Sequence, residues 1–285
     1  MGPHRGGRAL TTLSLLLAAG LIAFEREQGG LRDVCFVPAP GGPERCLGHP
    51  SDDAWPRFLP GGDRVLFSSN RSGAWQLWEV PVSGGAPRRL RHTGAREWQS
   101  DVSSDGSRIA FLSDAPGRDS LRLFETTSGG ERELVRHGAR TVMGNPDLSP
   151  DGRQVVFSSN ATLGHHIYLW SEGLREPRRL SSLLHGGCAP RFSPDGKKVL
   201  YVARRHLKKT SWIVEHDLAT GKERTLVDWP ALNYDPALSP DGTELVFAST
   251  VTGEFQVYRL RLSDGRSWRV TFGPGAARMP DYQPR

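Results

Sequence analysis

The chain has 285 residues, which is enough for one large domain or two small ones. Hydrophobic residues make up 37% and charged residues 24%, which excludes a membrane-embedded or wholly disordered protein. The formal net charge is +6, and only five of the 37 cations are lysine, but no arginine-rich run separates from the acids. We therefore expect a mixed, solvated surface and no nucleic-acid partner.

The first twenty residues have the layout of a secretory signal peptide. Arg5 and Arg8 precede an apolar stretch from Leu10 to Ala19, and Gly20 completes a small-residue cleavage site. The apolar stretch is short for a membrane span. The alternative is an uncleaved anchor extended by Leu21–Phe24. We expect cleavage of residues 1–20, no stable membrane span afterwards, and a periplasmic or secreted product.

An Asp-Gly pair recurs four times along the chain. The spacings between successive pairs are 46, 44 and 46 residues. Three copies read Ser-Pro-Asp-Gly, one reads Ser-Ser-Asp-Gly, and a looser Leu-Pro-Gly-Gly copy begins at Leu59. The four closer copies begin at Ser103, Ser149, Ser193 and Ser239. A period near 40–45 residues is typical of propeller blades with four strands each.

Each repeat contains the signals of four short strands. A proline such as Pro146 begins the first strand, and the Asp-Gly turn permits the positive φ that closes a hairpin. A β-rich run such as Val155–Phe157 follows, then an alternating strand such as Phe255–Tyr258. A second turn, for example at Gly84 and Gly85, leads to a short last strand. No segment has a sustained helical period, so the sequence predicts an all-β fold.

The two ends of the chain complete one further repeat. Five full repeats run from about residue 51 to residue 274, and Met279–Pro284 matches only a first strand. Ile22–Phe24, Val34 and Leu47 match the second, third and fourth strands of the other repeats. The sequence thus predicts a six-bladed β-propeller over residues 21–285, closed by a blade that both ends share. Closure leaves no free sheet edge at the seam.

The repeat resembles that of the TolB-type six-bladed propeller family, whose units are WD40-like PD40 repeats. The resemblance covers essentially the whole chain after residue 20. It implies the propeller fold and, by likeness to TolB, engagement of an envelope protein such as a peptidoglycan-associated lipoprotein. TolB itself carries an additional N-terminal α/β domain, and nothing before the first propeller strand here corresponds to it. Prolyl-oligopeptidase-like peptidases share these repeats, but this chain has no Gly-x-Ser-x-Gly elbow.

Motifs of catalysis and metal binding are missing from the sequence. It has no Walker loop, no His-Glu-x-x-His and no Cys-x-x-Cys. The Asp-Gly turns lack the further oxygen ligands of a calcium loop, so we interpret their aspartates as turn residues. We therefore expect no catalytic residue, no metal and no cofactor.

In each first strand, the residue that directly follows the proline position is a candidate for lining the channel, and five of these six residues are charged. Around the ring these residues are Arg57, Asp101, Asp147, Arg191, Ala237 and Asp281. Opposite charges on neighbouring inner strands predict ion pairs between blades or a charged channel lining, since buried charges need partners.

The loops that lead into the first strands hold a candidate binding surface. Its residues are Asp53, Trp55, Glu97, Trp98, Asn233, Tyr234 and Arg278. Aromatic and charged side chains on loops of a rigid scaffold suit the binding of a partner at a channel mouth. The alternative places Trp55 and Trp98 in the core between blades. The same loops hold four histidines, which would gather a metal only if successive loops met closely: His49, His92, His137 and His185.

The three cysteines include one candidate pair. Cys35 and Cys46 lie on neighbouring strands on either side of the glycines at 41 and 42. In an exported protein they either form a disulfide or remain thiols, depending on the register of that turn. Cys188 would then be an unpaired, packed thiol.

Together these features predict an exported, non-catalytic propeller that acts as a monomeric protein-interaction scaffold in the cell envelope. Two alternatives stay open. One is a metal-dependent lactonase or lyase working in the channel, and the other is a glycan-binding module that uses Trp55, Trp98 and Tyr234.

Overall fold

The structure is a computed structural model that describes residues 20–115, 117–136, 138, 141–162, 164–182, 184–204 and 209–284. These residues form strands β1 to β24 and no helix. The strands make six antiparallel sheets of four. This confirms the predicted six-bladed, all-β propeller. The predicted signal peptide lies outside the described residues except for Gly20. Within the described ranges, no helix is long and apolar enough to cross a membrane.

Five blades are continuous in sequence, and the sixth combines the two ends of the chain. Blade 6 contains β1 (Leu21–Gln28), β2 (Leu31–Pro38) and β3 (Arg45–Cys46), with β24 (Ala276–Tyr282) as its innermost strand. Blade 1 contains β4 (Asp53–Phe58), β5 (Arg64–Ser69), β6 (Gln76–Pro81) and β7 (Arg88–Arg89). Blade 2 contains β8 (Glu97–Val102), β9 (Arg108–Ser113), β10 (Ser120–Glu125) and β11 (Glu131–Arg136).

The remaining three blades follow in chain order. Blade 3 contains β12 (Met143–Leu148), β13 (Gln154–Ser159), β14 (His166–Ser171) and β15 (Arg178–Arg179). Blade 4 contains β16 (Gly186–Phe192), β17 (Lys198–Arg204), β18 (Ser211–Asp217) and β19 (Glu223–Val227). Blade 5 contains β20 (Asn233–Leu238), β21 (Glu244–Ser249), β22 (Gln256–Arg261) and β23 (Ser267–Arg269).

The ring closes where β24 pairs with β1, as the repeat alignment predicts. Ile22 lies opposite Tyr282, and Glu27 lies opposite Ala276 in this antiparallel pair. Gln283 extends the contact, because its backbone N–H donates to the Leu21 carbonyl and its side chain accepts from the Leu21 N–H. The seam therefore has the hydrogen bonding of an ordinary blade.

The hydrophobic core is divided into six clusters, and each cluster combines side chains of two neighbouring blades. The second strand of every blade contributes one fully buried ring to this core: Phe24, Phe67, Phe111, Phe157, Tyr201 and Phe247. Burial of such a side chain contributes about 1.5–3 kcal/mol. Because each blade buries its two faces only against its neighbours, the blades depend on one another for stability.

The Asp-Gly motif forms the turn between the first and second strands. In blade 3 the Ser149 hydroxyl donates to Asp151 Oδ1 at 2.6 Å, and the Arg153 N–H donates to the same oxygen. Gly152 has a φ of +68°, which glycine adopts without steric cost. The turns between the first and second strands of blades 1 to 5, together with the described chain ends that meet in blade 6, define one surface of the disc, here called the turn face. The loops between blades define the opposite surface, the loop face.

Every first strand carries a bulge that the sequence analysis did not predict. The bulges show as a shift in strand register, and in each blade one non-glycine residue has a φ between 49° and 54°. These residues are Trp55, Gln99, Asn145, Ala189, Asp235 and Met279. A proline follows five of them, and Ser100 follows Gln99. The bulge redirects the strand at the channel.

The two cysteines of blade 6 are cross-strand partners. Cys35 on β2 pairs in register with Cys46 on β3, and the structure joins their sulfur atoms. Cys35 is fully buried, whereas Cys46 is exposed. The bond ties the short outer strand to the blade that closes the ring. Cys188 is a free, half-buried thiol.

We predict that Cys46→Ser lowers the free energy of unfolding by about 2–3 kcal/mol, because the unfolded chain gains the freedom of an opened loop. Serine at this exposed site removes little packing. Urea denaturation with and without dithiothreitol measures the effect. Cys188→Ala is the matched control and should respond to the reductant as the unmodified protein does. A Cys46→Ser protein as stable as the unmodified one would contradict the prediction.

Candidate functional site

Five charged residues meet at the centre of the ring, where the innermost strands converge. Arg191 Nε lies 2.8 Å from Asp147 Oδ1, and Arg191 Nη2 lies 2.5 Å from Asp281 Oδ1. Arg57 Nε lies 3.6 Å from Asp101 Oδ1. The expected charges therefore come together in the channel. Arg191 also reaches past the uncharged Ala237 of blade 5 to Asp281, a pairing that the order of residues around the ring did not suggest.

The three aspartates also tie neighbouring blades together through the backbone. Asp101 Oδ2 accepts a 2.8 Å hydrogen bond from the N–H of Leu148, and Asp147 Oδ2 accepts one of 2.7 Å from Phe192. Asp281 Oδ2 accepts one of 2.8 Å from Phe58. Each acceptor belongs to one blade and each donor to the next, so these carboxylates bridge the blades beside the channel.

The charges of this ring are buried and do not cancel, because three carboxylates face two guanidinium groups. Burial, together with the charge of Asp101, raises the pKa of Asp147 to about 7. Burial also raises the pKa of Asp101, and burial beside Arg191 lowers the pKa of Arg57. The ring thus has one more acidic than basic group, with Asp147 able to take up a proton near neutral pH.

The channel opens on the turn face as a funnel of about 400 Å³. Its floor contains four of the ring charges: Asp101, Asp147, Arg191 and Asp281. Its wall contains apolar side chains from the ends of the first strands: Phe58, Val102, Leu148, Phe192, Leu238 and Tyr282. Its rim contains prolines next to the turns: Pro60, Pro150, Pro194, Pro240 and Pro284. The repeated proline of Ser-Pro-Asp-Gly was a signal of this mouth in the sequence, although the mouth was expected on the loop face.

Towards the loop face, the described residues of the first strands narrow the channel. The space there is about 10 Å³ and is lined by the bulges of the first strands and by the two ring arginines. Bulge residues such as Asn145, Ala189 and Met279 narrow it. The funnel is on the turn face, opposite the loops where the sequence placed the candidate binding surface.

Three residues expected at the loop-face mouth are buried. Asp53 pairs with Arg71 at 2.5 Å, and Glu97 pairs with Arg91 at 2.6 Å. Asn233 bonds the backbone of Ser211 and accepts from the Ser249 hydroxyl. Each is at most 1% exposed. The expectation that they rim a mouth is therefore corrected, because Asp53 and Glu97 form buried ion pairs and Asn233 bonds the neighbouring blade.

The other four residues of that surface lie half-buried on the loop face. Arg32 stacks over both Trp55 and Trp75, at 4.9 and 5.1 Å from their ring centres. Trp98 packs against the cluster between blades 2 and 3, as the core alternative expected.

Arg278 completes this part of the loop face. It pairs with Asp235 at 3.1 Å and stacks over Tyr234 and Phe255. These arginines and rings pack against one another and form a polar-aromatic surface.

Glu25 is a buried acid that the sequence analysis did not select. It lies on β1, and its Oε2 accepts a 3.2 Å hydrogen bond from the Trp55 N–H. Burial raises its pKa to about 7, while Arg32 opposes the shift. Glu25 supports the backbone of a bulge residue from the next blade, which a repeat alignment does not reveal.

The histidines do not gather in the part of the chain that the structure describes. The one group there with the spacing of metal ligands is Asp33, Cys35 and Cys46, and its two sulfurs are bonded to each other. His49, His92 and His185 are not part of it, and His137 lies outside the described residues. Burial raises the pKa of Cys188 to about 12, so this thiol is protonated at neutral pH.

We predict that the stability of the protein falls between pH 4.5 and pH 7 in part through Asp147. Its pKa is higher in the folded than in the unfolded chain, so the folded state holds the extra proton and loses this advantage as the pH rises. Asp147→Asn should flatten this slope in urea denaturation. Asp151→Asn is the control, because hydrogen bonding lowers the pKa of that turn aspartate. Equal slopes in the unmodified protein and Asp147→Asn would contradict the assignment.

Two curated proteins show what the chain is similar to. The Protein TolB homolog of Chlorobium luteolum is 27% identical over 163 residues, which cover 57% of this chain and 36% of that protein. The Tol-Pal system protein TolB of Francisella tularensis subsp. tularensis is 23% identical over 214 residues, which cover 74% of this chain and 49% of that protein. The chain thus spans less than half the length of these two relatives.

Solved structures show the same fold. TolB from Acinetobacter baumannii superposes with a TM-score of 0.78 at 17% identity, over 93% of this chain and 67% of that one. Oligogalacturonate lyase in complex with manganese superposes with a TM-score of 0.63 at 15% identity, over 89% of this chain and 74% of that one. At such identities the likeness concerns the fold alone.

The TolB beta propeller domain family matches residues 21–184 and 176–285. These two matches together span all six blades, including the strands from both ends that close the ring. This chain therefore belongs to the TolB beta propeller domain family.

Proposed function

We propose that this propeller is a non-catalytic scaffold of the cell envelope that binds a segment of a partner protein at the funnel on the turn face. The observation that carries the proposal is the funnel itself, with about 400 Å³ of space at the open end of a rigid ring. The fold and the repeat are those of a family in which one relative is named a Tol-Pal system protein. The predicted signal peptide supports export.

The lining of the funnel suits a protein segment. Prolines and apolar side chains form the wall and rim, and charges lie only at the floor. A partner would place apolar side chains against the wall and a polar or charged tip near Arg191 and the aspartates. Such a concave site with an apolar wall and few polar groups is typical of binding pockets. Because the turns that carry the rim are held by Ser–Asp hydrogen bonds, binding would cost little ordering of the scaffold.

The test is photo-crosslinking and affinity capture from a detergent-solubilised envelope extract. Ser104 and Pro194 are exposed at the rim, and tryptophan at both positions would fill the funnel. We expect a saturable partner that the unmodified protein captures and that Ser104→Trp/Pro194→Trp fails to capture, with the thermal midpoint of unfolding unchanged within about 2 °C.

A variant of the opposite face is the matched control. Arg96 and Phe272 are exposed on loops of the loop face. Arg96→Glu/Phe272→Ser should retain the partner if the funnel is the site. Loss of the partner only in this variant would place binding on the loop face. Absence of any saturable partner would contradict the scaffold role.

The alternative function is a metal-dependent lyase of the channel, and one observation favours it. Three carboxylates converge on the funnel floor, and the fold is shared with an oligogalacturonate lyase solved with manganese. Against it, each aspartate already accepts a backbone hydrogen bond, and each lies in the field of a ring arginine. Titration of the protein with Mn²⁺, followed by calorimetry, separates the two functions, because saturable binding of Mn²⁺ is expected of the lyase and not of the scaffold.

A further inference from the structure

Blade 4 differs from blades 1, 3 and 5 at the position that faces its buried aromatic ring, where blades 2 and 6 have Arg122 and Cys35. In blades 1, 3 and 5 the buried phenylalanine of the second strand lies opposite a large aromatic residue of the third strand, namely Trp78, Tyr168 or Tyr258. In blade 4 the small Val214 lies opposite Tyr201. The blade thus has a tyrosine where the others have phenylalanine, and a valine where these three have a large ring.

A cavity of about 360 Å³ lies where the large ring is missing. It sits at the outer strands of blade 4, on the side that packs against blade 3. Its described lining is His185, Thr210, Trp212, Val214, Glu223, Thr225 and Asp228. Trp212 is half-buried, and the His185 ring meets it edge-on with 5.6 Å between ring centres. Two aromatic walls therefore face a set of hydroxyl and carboxylate groups.

The carboxylate of Glu223 is held in place by the unusual tyrosine. Tyr201 donates its hydroxyl to Glu223 Oε1 at 2.5 Å, and His216 Nδ1 lies 3.2 Å from the same oxygen. Burial and this hydrogen bond raise the pKa of Tyr201, so the phenol remains a donor at neutral pH. Among the described residues no bond is made to Glu223 Oε2. One oxygen is thus fixed by the protein and the other is left for a ligand.

The charged residues among the described lining are acidic. Glu223 and Asp228 are acidic, and no lysine or arginine is among the described lining residues, whereas the chain has a net charge of +6. Nδ1 of His185 is buried and has no hydrogen-bond partner among the residues described. A carboxylate pair attracts cations through its charge, and the face of a neighbouring tryptophan ring adds to this attraction through the ring quadrupole.

The geometry points to a binding site for an organic cation, an alkyl ammonium or guanidinium group, between Trp212 and the carboxylates of Glu223 and Asp228. A neutral sugar would also stack on the indole, but it would not use the negative charge of Glu223 and Asp228. The cavity is on the outer strands of blade 4 and not at the channel, so this site stands or falls separately from the proposed partner site at the funnel.

Calorimetric titration of the purified chain tests the site with three probes. Nα-acetyl-lysine amide and agmatine are the cations, and N-acetylglucosamine is the neutral sugar. We expect saturable binding of the cations that weakens at 500 mM salt, and no binding of the sugar. Tighter binding of a blocked Gly-Lys-Gly peptide than of agmatine would indicate that the natural ligand is a side chain of another protein. Equal binding would indicate a free amine, and either result supports the cationic class.

Two variants locate the site and one serves as control. Glu223→Gln keeps a hydrogen-bond acceptor for Tyr201 but removes the charge, and it should weaken cation binding about tenfold or more. Val214→Tyr restores the ring found in blades 3 and 5 and should abolish binding with the fold intact by circular dichroism. Glu254→Gln, on an exposed turn of blade 5, should bind as the unmodified protein does. The proposal requires both site variants to weaken binding; binding of the sugar alone, no binding of either cation, or binding retained by either site variant would overturn it.

Discussion

The structure depends on closure of the ring. All six apolar clusters lie between blades and none lies within a single sheet, so a blade without both neighbours would expose one of its faces. The pairing of β24 with β1 supplies the missing neighbour at the seam. Since burial of apolar surface is the main favourable term in folding, this one sheet contact makes the packing of the other five blades possible.

Closure also creates the polar centre of the molecule. Six inner strands converge there, and a charge at this depth must be paired. Each of the three aspartates has two partners. One carboxylate oxygen pairs with Arg57 or Arg191, and the other accepts a hydrogen bond from a backbone N–H of the next blade. The same convergence leaves a funnel on one face, and the bulges narrow the channel towards the other. Stability and the candidate binding site therefore arise from the same residues.

Two residues that differ from their counterparts in other blades shape the charged ring and the cavity of blade 4. Ala237 interrupts the ring of charges and lets Arg191 reach Asp281. Val214 leaves space that Trp78, Tyr168 and Tyr258 fill in other blades, and Tyr201 holds Glu223 beside that space. A propeller tolerates such changes because the backbone of each blade is fixed by its own hydrogen bonds and its two neighbours.

The sequence by itself determined the six blades, the turns and the shared last blade, because Asp-Gly spacing and strand alternation are local properties that recur with the repeat. It also placed Arg57, Asp101, Asp147, Arg191 and Asp281 at one level of the ring. Only the tertiary structure decided which face of the disc is open and that Asp53, Glu97 and Asn233 are buried. The reason is that burial of a loop residue depends on the neighbouring blade, and bulges at residues such as Asn145 and Met279 redirect strands in ways that no periodicity in the chain records.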